Sequence, residues 1–210
     1  MQNQILTMQE GFCPGDRLNS LAIASQLGVS KTPVVYAINQ LAMLNLVVVR
    51  ARSGTYVSSP EDSDIRESFE LLAQLELASV RLSRRPFPEA QLEQLSRLVD
   101  DTENSSREGD LPAFLDAGRA FHIAISALAG NGQLKDAYTD VIHQVYLAEV
   151  YIAQAPSNVA IEVSQDRVLT EVLRGGDLAQ INRVIEDHWQ QGWERYTQVR
   201  TSRKKEERQR

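Results

Sequence analysis

Two short amphipathic stretches, separated by Gly28 and followed at once by a β-branched hairpin, constrain this chain more than any other feature. Leu18, Leu21, Ala24 and Leu27 recur at helical spacing behind the capping candidates Asn19 and Ser20, and Gly28 stops that helix. Ser30 is placed to cap a second helix with Pro33 in its first turn, where a missing N–H costs little. Val34, Ala37, Ile38 and Leu41 then form one apolar stripe, leaving the opposite face for a partner. Leu46 to Arg50 reads as a strand, Ala51-Arg52-Ser53-Gly54 as a turn, and Thr55-Tyr56-Val57 as a return strand closed by Pro60. The pattern is that of a winged helix-turn-helix.

A helix-turn-helix sets the N-terminus of its second helix against DNA, where unpaired amides and the helix dipole favour a phosphate. Ser30, Lys31 and Thr32 fall there, with Tyr36 one turn on; Arg50, Arg52 and Ser53 on the hairpin reach for the backbone or the minor groove. Net charge of −6 argues against DNA only until it is divided. Over residues 1–59, Arg17, Lys31, Arg50 and Arg52 outnumber Glu10 and Asp16, and the 201–210 tail is basic, so the acid lies between them. So few positive charges on one reader imply a dimer. The tail, including Arg203, Lys204 and Lys205, either adds phosphate contacts or frays as a solvated end.

Residues 1–60 thus form one domain and residues 61–200 a second, all-helical one, joined by the short acidic linker Ser58 to Asp64. Helices are expected near 63–85, 88–106, 111–129, 131–155, 158–173 and 177–200, making a six-helix antiparallel bundle. The fold class is therefore mainly α, with a small β-wing. No apolar run of about 18 residues or more and no charged-then-apolar leader occurs, so the expectation is a cytoplasmic protein without membrane contact. The lone Cys13 leaves no internal disulfide.

Three ionisable residues point into the bundle from three helices. His122 shares a face with Phe114, Gly118, Phe121, Ile125 and Ala129; His188 with Ile181, Val184, Ile185, Gly192 and Tyr196; Asp166 with Glu162, Leu169 and Leu173. Buried ionisable groups need partners or a metal. Two imidazoles and a carboxylate suit Zn, Ni, Fe or Mn and leave positions open for a ligand carboxylate. Glu76 and Glu149 are further inward polar candidates, read first as structural hydrogen-bond or dimer-interface partners. His143 reads as surface or pocket rim, Arg119 and Arg167 as lying off the inward stripe, and Tyr138, Tyr146, Tyr151, Trp189 and Trp193 as core.

The order Pro14-Gly15-Asp16-Arg17-Leu18, Leu27-Gly28-Val29-Ser30-Lys31-Thr32-Pro33-Val34 and Gly54-Thr55-Tyr56-Val57 resembles the DNA-binding domain of GntR-type transcription regulators. The helical part, with Phe121-His122 and a late His188, resembles the FCD effector module of the FadR-like subfamily. The resemblance implies a homodimeric regulator, most simply a repressor, on a palindromic double-stranded DNA operator, controlled by a small organic acid. The start is short for the family, with few residues ahead of Ile5 to Glu10, and Val35 and Tyr36 stand where the family usually has an arginine and an acidic residue. An apolar Val35 implies altered or weakened base reading.

In the bundle, family members that bind metal use an aspartate, a histidine four residues on, and two later histidines. His122 and His188 match, whereas Gly118 and Asp166 replace the aspartate and the middle histidine. Two outcomes stay open: a three-residue metal site of His122, Asp166 and His188, or a lost metal with His122 and Asp166 bonded to each other and Gly118 enlarging an organic-ligand pocket. Gly118, His122, Glu76 and Glu149 are the candidate effector pocket. Two other classes remain: a metal-dependent enzyme, although no phosphate loop, nucleophile elbow or His-Glu-x-x-His pair is present, and an interaction module that has lost DNA contact.

Overall fold

A computed structural model describes residues 5, 11–153 and 155–209, with the side chains of 203, 204 and 206–209 outside the description. The chain divides into two compact units at Asp62 and Ser63.

In the first unit a two-residue strand β1 (Arg17–Leu18) precedes helices α1 (Ser20–Leu27) and α2 (Lys31–Met43) and the hairpin β2 (Val47–Arg50) and β3 (Gly54–Val57). The sheet is antiparallel in the order β1-β3-β2, with Arg17 opposite Tyr56 and Val48 opposite Tyr56 from the other side. Asn19 caps α1, its side chain accepting from the Leu21 and Ala22 amides at 3.0 and 3.2 Å. Gly28 ends α1 in the left-handed conformation (φ 65°), which a residue with a Cβ adopts only with strain.

The buried face of α1 matches the expected one only at Ala24. Leu18 belongs to β1, and Leu21 and Leu27 are exposed, while Ile23 and Ala24 turn inward onto the Val34, Ile38 and Leu41 stripe of α2. Beginning the apolar count at a strand residue shifted the helical phase by one position. Burying the three α2 side chains, each worth about 1.5–3 kcal/mol, is what fixes α2 against α1 and β2.

The second unit holds α3 (Asp62–Leu82), α4 (Glu89–Glu108), α5 (Leu111–Ala127), α6 (Gly132–Ile142), α7 (Tyr146–Ala153), α8 (Pro156–Gly175) and α9 (Leu178–Gln209). Helix α4 packs on α5 and α8, α9 on α8 and α7, and α6 on α5. The helix expected over 131–155 is two: the Gln144 amide bonds back only three residues, to Val141, and the chain restarts at Tyr146. Six of the eight α7 residues are buried, so this segment runs through the interior of the bundle. Helix α9 continues through the tail expected to fray, and the phosphate role suggested for Arg203 and Lys204 falls on side chains outside the described residues. Among the described residues no single helix is long and apolar enough to cross a membrane.

Candidate functional site

Helices α5, α8 and α9 bring His122, Asp166 and His188 together, as their spacing predicts, and add a fourth ligand-bearing residue, Glu162. One ligand atom of each of the four lies within 4.8 Å of all the others. His122 Nε2 stands 3.6 Å from Asp166 Oδ1, His188 Nδ1 4.0 Å from the same oxygen, and His188 Nε2 3.8 Å from Glu162 Oε1. Ligands about 2.0–2.2 Å from one ion stand about 3–4 Å apart, a little closer than the 4.8 Å limit that holds for one atom from each of these four residues. Glu162 lies one turn before Asp166 on the same α8 face; that i, i+4 relation was visible in the sequence, but only the more enclosed Asp166 was singled out.

The cluster is short of hydrogen bonds. Both ring nitrogens of His122, Nδ1 of His188 and both carboxylate oxygens of Asp166 are buried without a hydrogen-bond partner. Such atoms are costly unless something else occupies them. A divalent ion is a fitting occupant, since one nitrogen of each imidazole and the Asp166 carboxylate are donors of a type Zn, Ni, Fe or Mn accepts. The hydrogen-bonded His122–Asp166 pair expected in the metal-free alternative does not form at 3.6 Å.

Behind the cluster, α3 supplies Glu76, fully buried. Its Oε2 accepts from the Tyr138 hydroxyl and the Trp189 indole N–H, each at 2.9 Å, and stands 3.3 Å from His122 Nδ1. A carboxylate in that position orients the ring and leaves Nε2 aimed at the cluster. Burial opposes a charge on His122, but Glu76, Asp166 and Glu162 outweigh it and push the imidazole up to about 9. Burial likewise pushes Glu76 up, and His122 more than reverses this, leaving the carboxyl below its usual range. His188 goes the other way: burial, with the His122 and Arg195 charges, pushes it down to about 3. Burial raises the Asp166 carboxyl well above the ordinary range.

A cavity of about 50 Å³ opens beside the cluster, lined by Gly118, Arg119, His122, Glu149, Glu162 and Arg195 among others. Glu76 is not in its wall; it sits behind His122. Two cations line it that sequence reasoning missed. Arg119 is buried, not off the inward stripe as expected: its guanidinium stacks on the Tyr146 ring at 3.6 Å and pairs with Asp116 at the surface. Arg195 is buried and donates to Glu162 Oε2 at 2.6 Å. A signal existed for Arg195, two turns past His188 on α9. Arg119 was hidden because it lies beside the stripe and bends in. Arg167 stays exposed, bonded to Asp100 and Glu103. Tyr138, Tyr146, Tyr151 and Trp189 are core; Trp193 and His143 are half-buried.

On the first unit Ser30, Lys31 and Thr32 form the exposed N-terminus of α2, and the Ser30 side chain makes no capping bond, so it leaves the first-turn amides to other partners. Tyr36 is 66% exposed and Val35 lies beside it at 38%. At the hairpin tip Arg52 takes the left-handed conformation (φ 61°), and Ser53 Oγ lies 2.9 Å from the Tyr56 hydroxyl. Arg50 lies over the Tyr56 ring, 5.2 Å from its centre. Gly54 (φ 132°) is required: a Cβ there would be strained and 3.1 Å from Arg17 Nε.

A winged helix-turn-helix followed in the chain by a helical bundle with an internal polar centre is the architecture of a DNA-binding transcription regulator. Residues 5–57 match the gntR family of bacterial regulatory proteins, residues 67–191 match the FCD domain, and the chain belongs to this family of GntR transcriptional regulators with an FCD domain. It is 27% identical over 139 residues, 65% of each chain, to the Nta operon transcriptional regulator of Aminobacter aminovorans; the match spans just under two thirds of that relative. Its fold is shared with a GntR transcriptional regulator from Rhodococcus sp. RHA1 (TM-score 0.72, 20% identity, 93% of each chain) and with McbR/YncC of E. coli (TM-score 0.70, 22% identity, 94% of each). The family is one of transcription regulators, not enzymes, which sets aside the metal-enzyme reading.

Proposed function

We propose that this chain is a cytoplasmic, homodimeric repressor that docks two winged helices on a palindromic operator and is released by a small organic acid taken up in the bundle. The reading rests first on the cluster of buried, unbonded ligand atoms at His122, Asp166 and His188, which opens on a cavity carrying Arg119 and Arg195. His122, Asp166, His188 and Glu162 Oε1 are the residues that would hold a divalent ion. The ion would supply a Lewis-acid position for an effector carboxylate. Arg195 donates to Glu162, and the Glu76 carboxylate beside His122 Nδ1 would leave Nε2 free to hold an ion. Arg119 Nη1, buried and unbonded, offers the effector a further donor.

On the reader, Ser30, Lys31 and Thr32 meet phosphate at the α2 N-terminus, Tyr36 donates to a neighbouring phosphate, and Arg50, Arg52 and Ser53 meet the backbone beside the hairpin. Val35, in the place of a guanine-reading arginine, selects a thymine methyl instead. Effector binding acts by favouring one of two dimer arrangements over the other; it can shift the equilibrium only by its difference in affinity for the two. Mobility shifts on genomic fragments at two salt concentrations test the reading. Binding is expected to weaken steeply with salt, and to weaken further in Lys31→Ala and Arg52→Ala; salt-independent binding, or indifference to both substitutions, overturns it.

A further inference from the structure

We propose that the effector is not a plain organic acid but a compact amino acid, whose carboxylate meets the metal and arginine side of the cavity and whose ammonium group is received by Glu149. This deepens the reading above and rests on it.

The observation is the mixed sign of the cavity's unbonded atoms. Glu149 projects from α7 into the cavity, and its Oε2 is buried without a hydrogen-bond partner. No ion pair within 4.0 Å reaches it from Arg119, Arg195 or any other cation among the described residues; Arg195 is taken up by Glu162 and Arg119 by Asp116. A buried acceptor with no donor is a cost that a ligand donor removes. On the opposite count, Arg119 Nη1 and Arg195 Nε are buried donors with no acceptor. A ligand that carries only acceptors satisfies the arginines and leaves Glu149 bare. One that carries a carboxylate and an ammonium satisfies both.

Charge argues the same way. Glu149 and Glu162 line the cavity, Asp166 and Glu76 stand behind its wall, and Asp116 sits on Arg119. Against these five carboxylates stand Arg119, Arg195 and either a protonated His122 or a divalent ion. The carboxyl groups outnumber the cations around the cavity, so a plain carboxylate adds only to the more numerous acceptors. A zwitterion does not. The groups that face Glu149 electrostatically are Arg119, Glu162, His122 and Asp116, and burial is the main influence on its carboxyl, which is pushed up to about 7. An ammonium brought against Glu149 favours its charged form, so ligand and carboxylate stabilise each other. The cavity, about 50 Å³, is small and favours a compact ligand.

The test is calorimetric titration of the full-length, zinc-loaded protein with pairs that differ only in the amine: propionate and alanine, succinate and aspartate. In at least one pair the amino acid is expected to bind tenfold or more tightly than its plain acid. Glu149→Gln, which keeps size and an acceptor but loses the carboxylate, should cut that ratio to threefold or less, and Glu149→Asp should retain more of it. Plain acids that bind as well as their amino partners overturn the inference and leave the organic-acid reading standing. A preference for the amine that survives Glu149→Gln overturns the role of Glu149. No binding of any member overturns the amino-acid inference and the organic-acid reading together. Circular dichroism and thermal melting of each variant separate a lost ratio from a lost fold.

Discussion

Metal-free protein should lose stability as the pH rises above neutral, where most proteins are comfortable, because of one imidazole. His122 is held up to about 9 by Glu76 and, beyond it, by Asp166 and Glu162, against the burial that opposes its charge. In the unfolded chain the same group titrates near 6.5. A base whose folded value is raised contributes stability that is complete below the unfolded value and is lost as pH rises through the folded one. The gap is worth about 3 kcal/mol, at 1.36 kcal/mol per unit, and should disappear between about pH 6.5 and 10. His188, pushed down to about 3, acts at the other end: below pH 6.5 the unfolded chain takes a proton that the fold refuses, so stability also falls toward acid.

Two measurements check this on chelator-treated protein. Imidazole ¹⁵N shifts should show His122 protonated at pH 8 and titrating near 9, with His188 neutral throughout. Urea unfolding of the helical unit should lose about 3 kcal/mol from pH 6.5 to 10, and Glu76→Gln, which removes the charge but keeps an acceptor for Tyr138 and Trp189, should abolish most of that slope. A neutral His122 at pH 7 together with a flat stability profile above it would refute the electrostatic account of the centre.

Three further outcomes follow from the same geometry. Because an ion must displace the His122 proton, and that of Asp166 where it is held, apparent metal affinity should rise at least tenfold per pH unit below pH 9; pH-independent affinity in competition with a coloured chelator contradicts His122 as a ligand. A Cβ on Gly118 meets nothing within 4 Å, so Gly118→Asp, which restores the family's missing carboxylate, should fold normally and tighten metal binding at least tenfold; weaker binding in the same competition sinks the proposed ligand geometry. A Cβ on Gly192, by contrast, falls 2.8 Å from Cε1 of Phe69, whose ring is buried edge-on against Trp189. Gly192→Ala should lower stability by about 1–3 kcal/mol despite its better helix propensity, read as a drop of several degrees in melting temperature, and an unchanged melting point contradicts the packing.

Much of this was legible because the signals were local. Gly28, Asn19 and the Val34, Ile38 and Leu41 stripe fix the helix-turn-helix within a few residues of themselves, and the i, i+3, i+4 spacing around His122, Asp166 and His188 aims each inward whatever the helices pack against. What failed depended on where neighbours lie. The break at His143 to Val145 was hidden because α7 is buried nearly all round, and a stretch apolar but for Glu149 has no polar face from which a turn can be read. Arg119 lies next to the stripe, and only the Tyr146 ring, brought in by α7, draws its guanidinium into the cavity. The pairing of β1 with β3 put Leu18 in a strand, a long-range contact that no local pattern encodes.

The claim on which the rest depends is that the bundle centre holds an ion. Metal content of the full-length protein, purified without chelator and measured by plasma mass spectrometry beside His122→Ala and His188→Ala variants, tests it most directly. About one divalent ion per chain in the parent, lost in both variants while the helical fold persists, is the expected result. A parent chain that carries no ion and gains none from added zinc, nickel, iron or manganese would contradict the account.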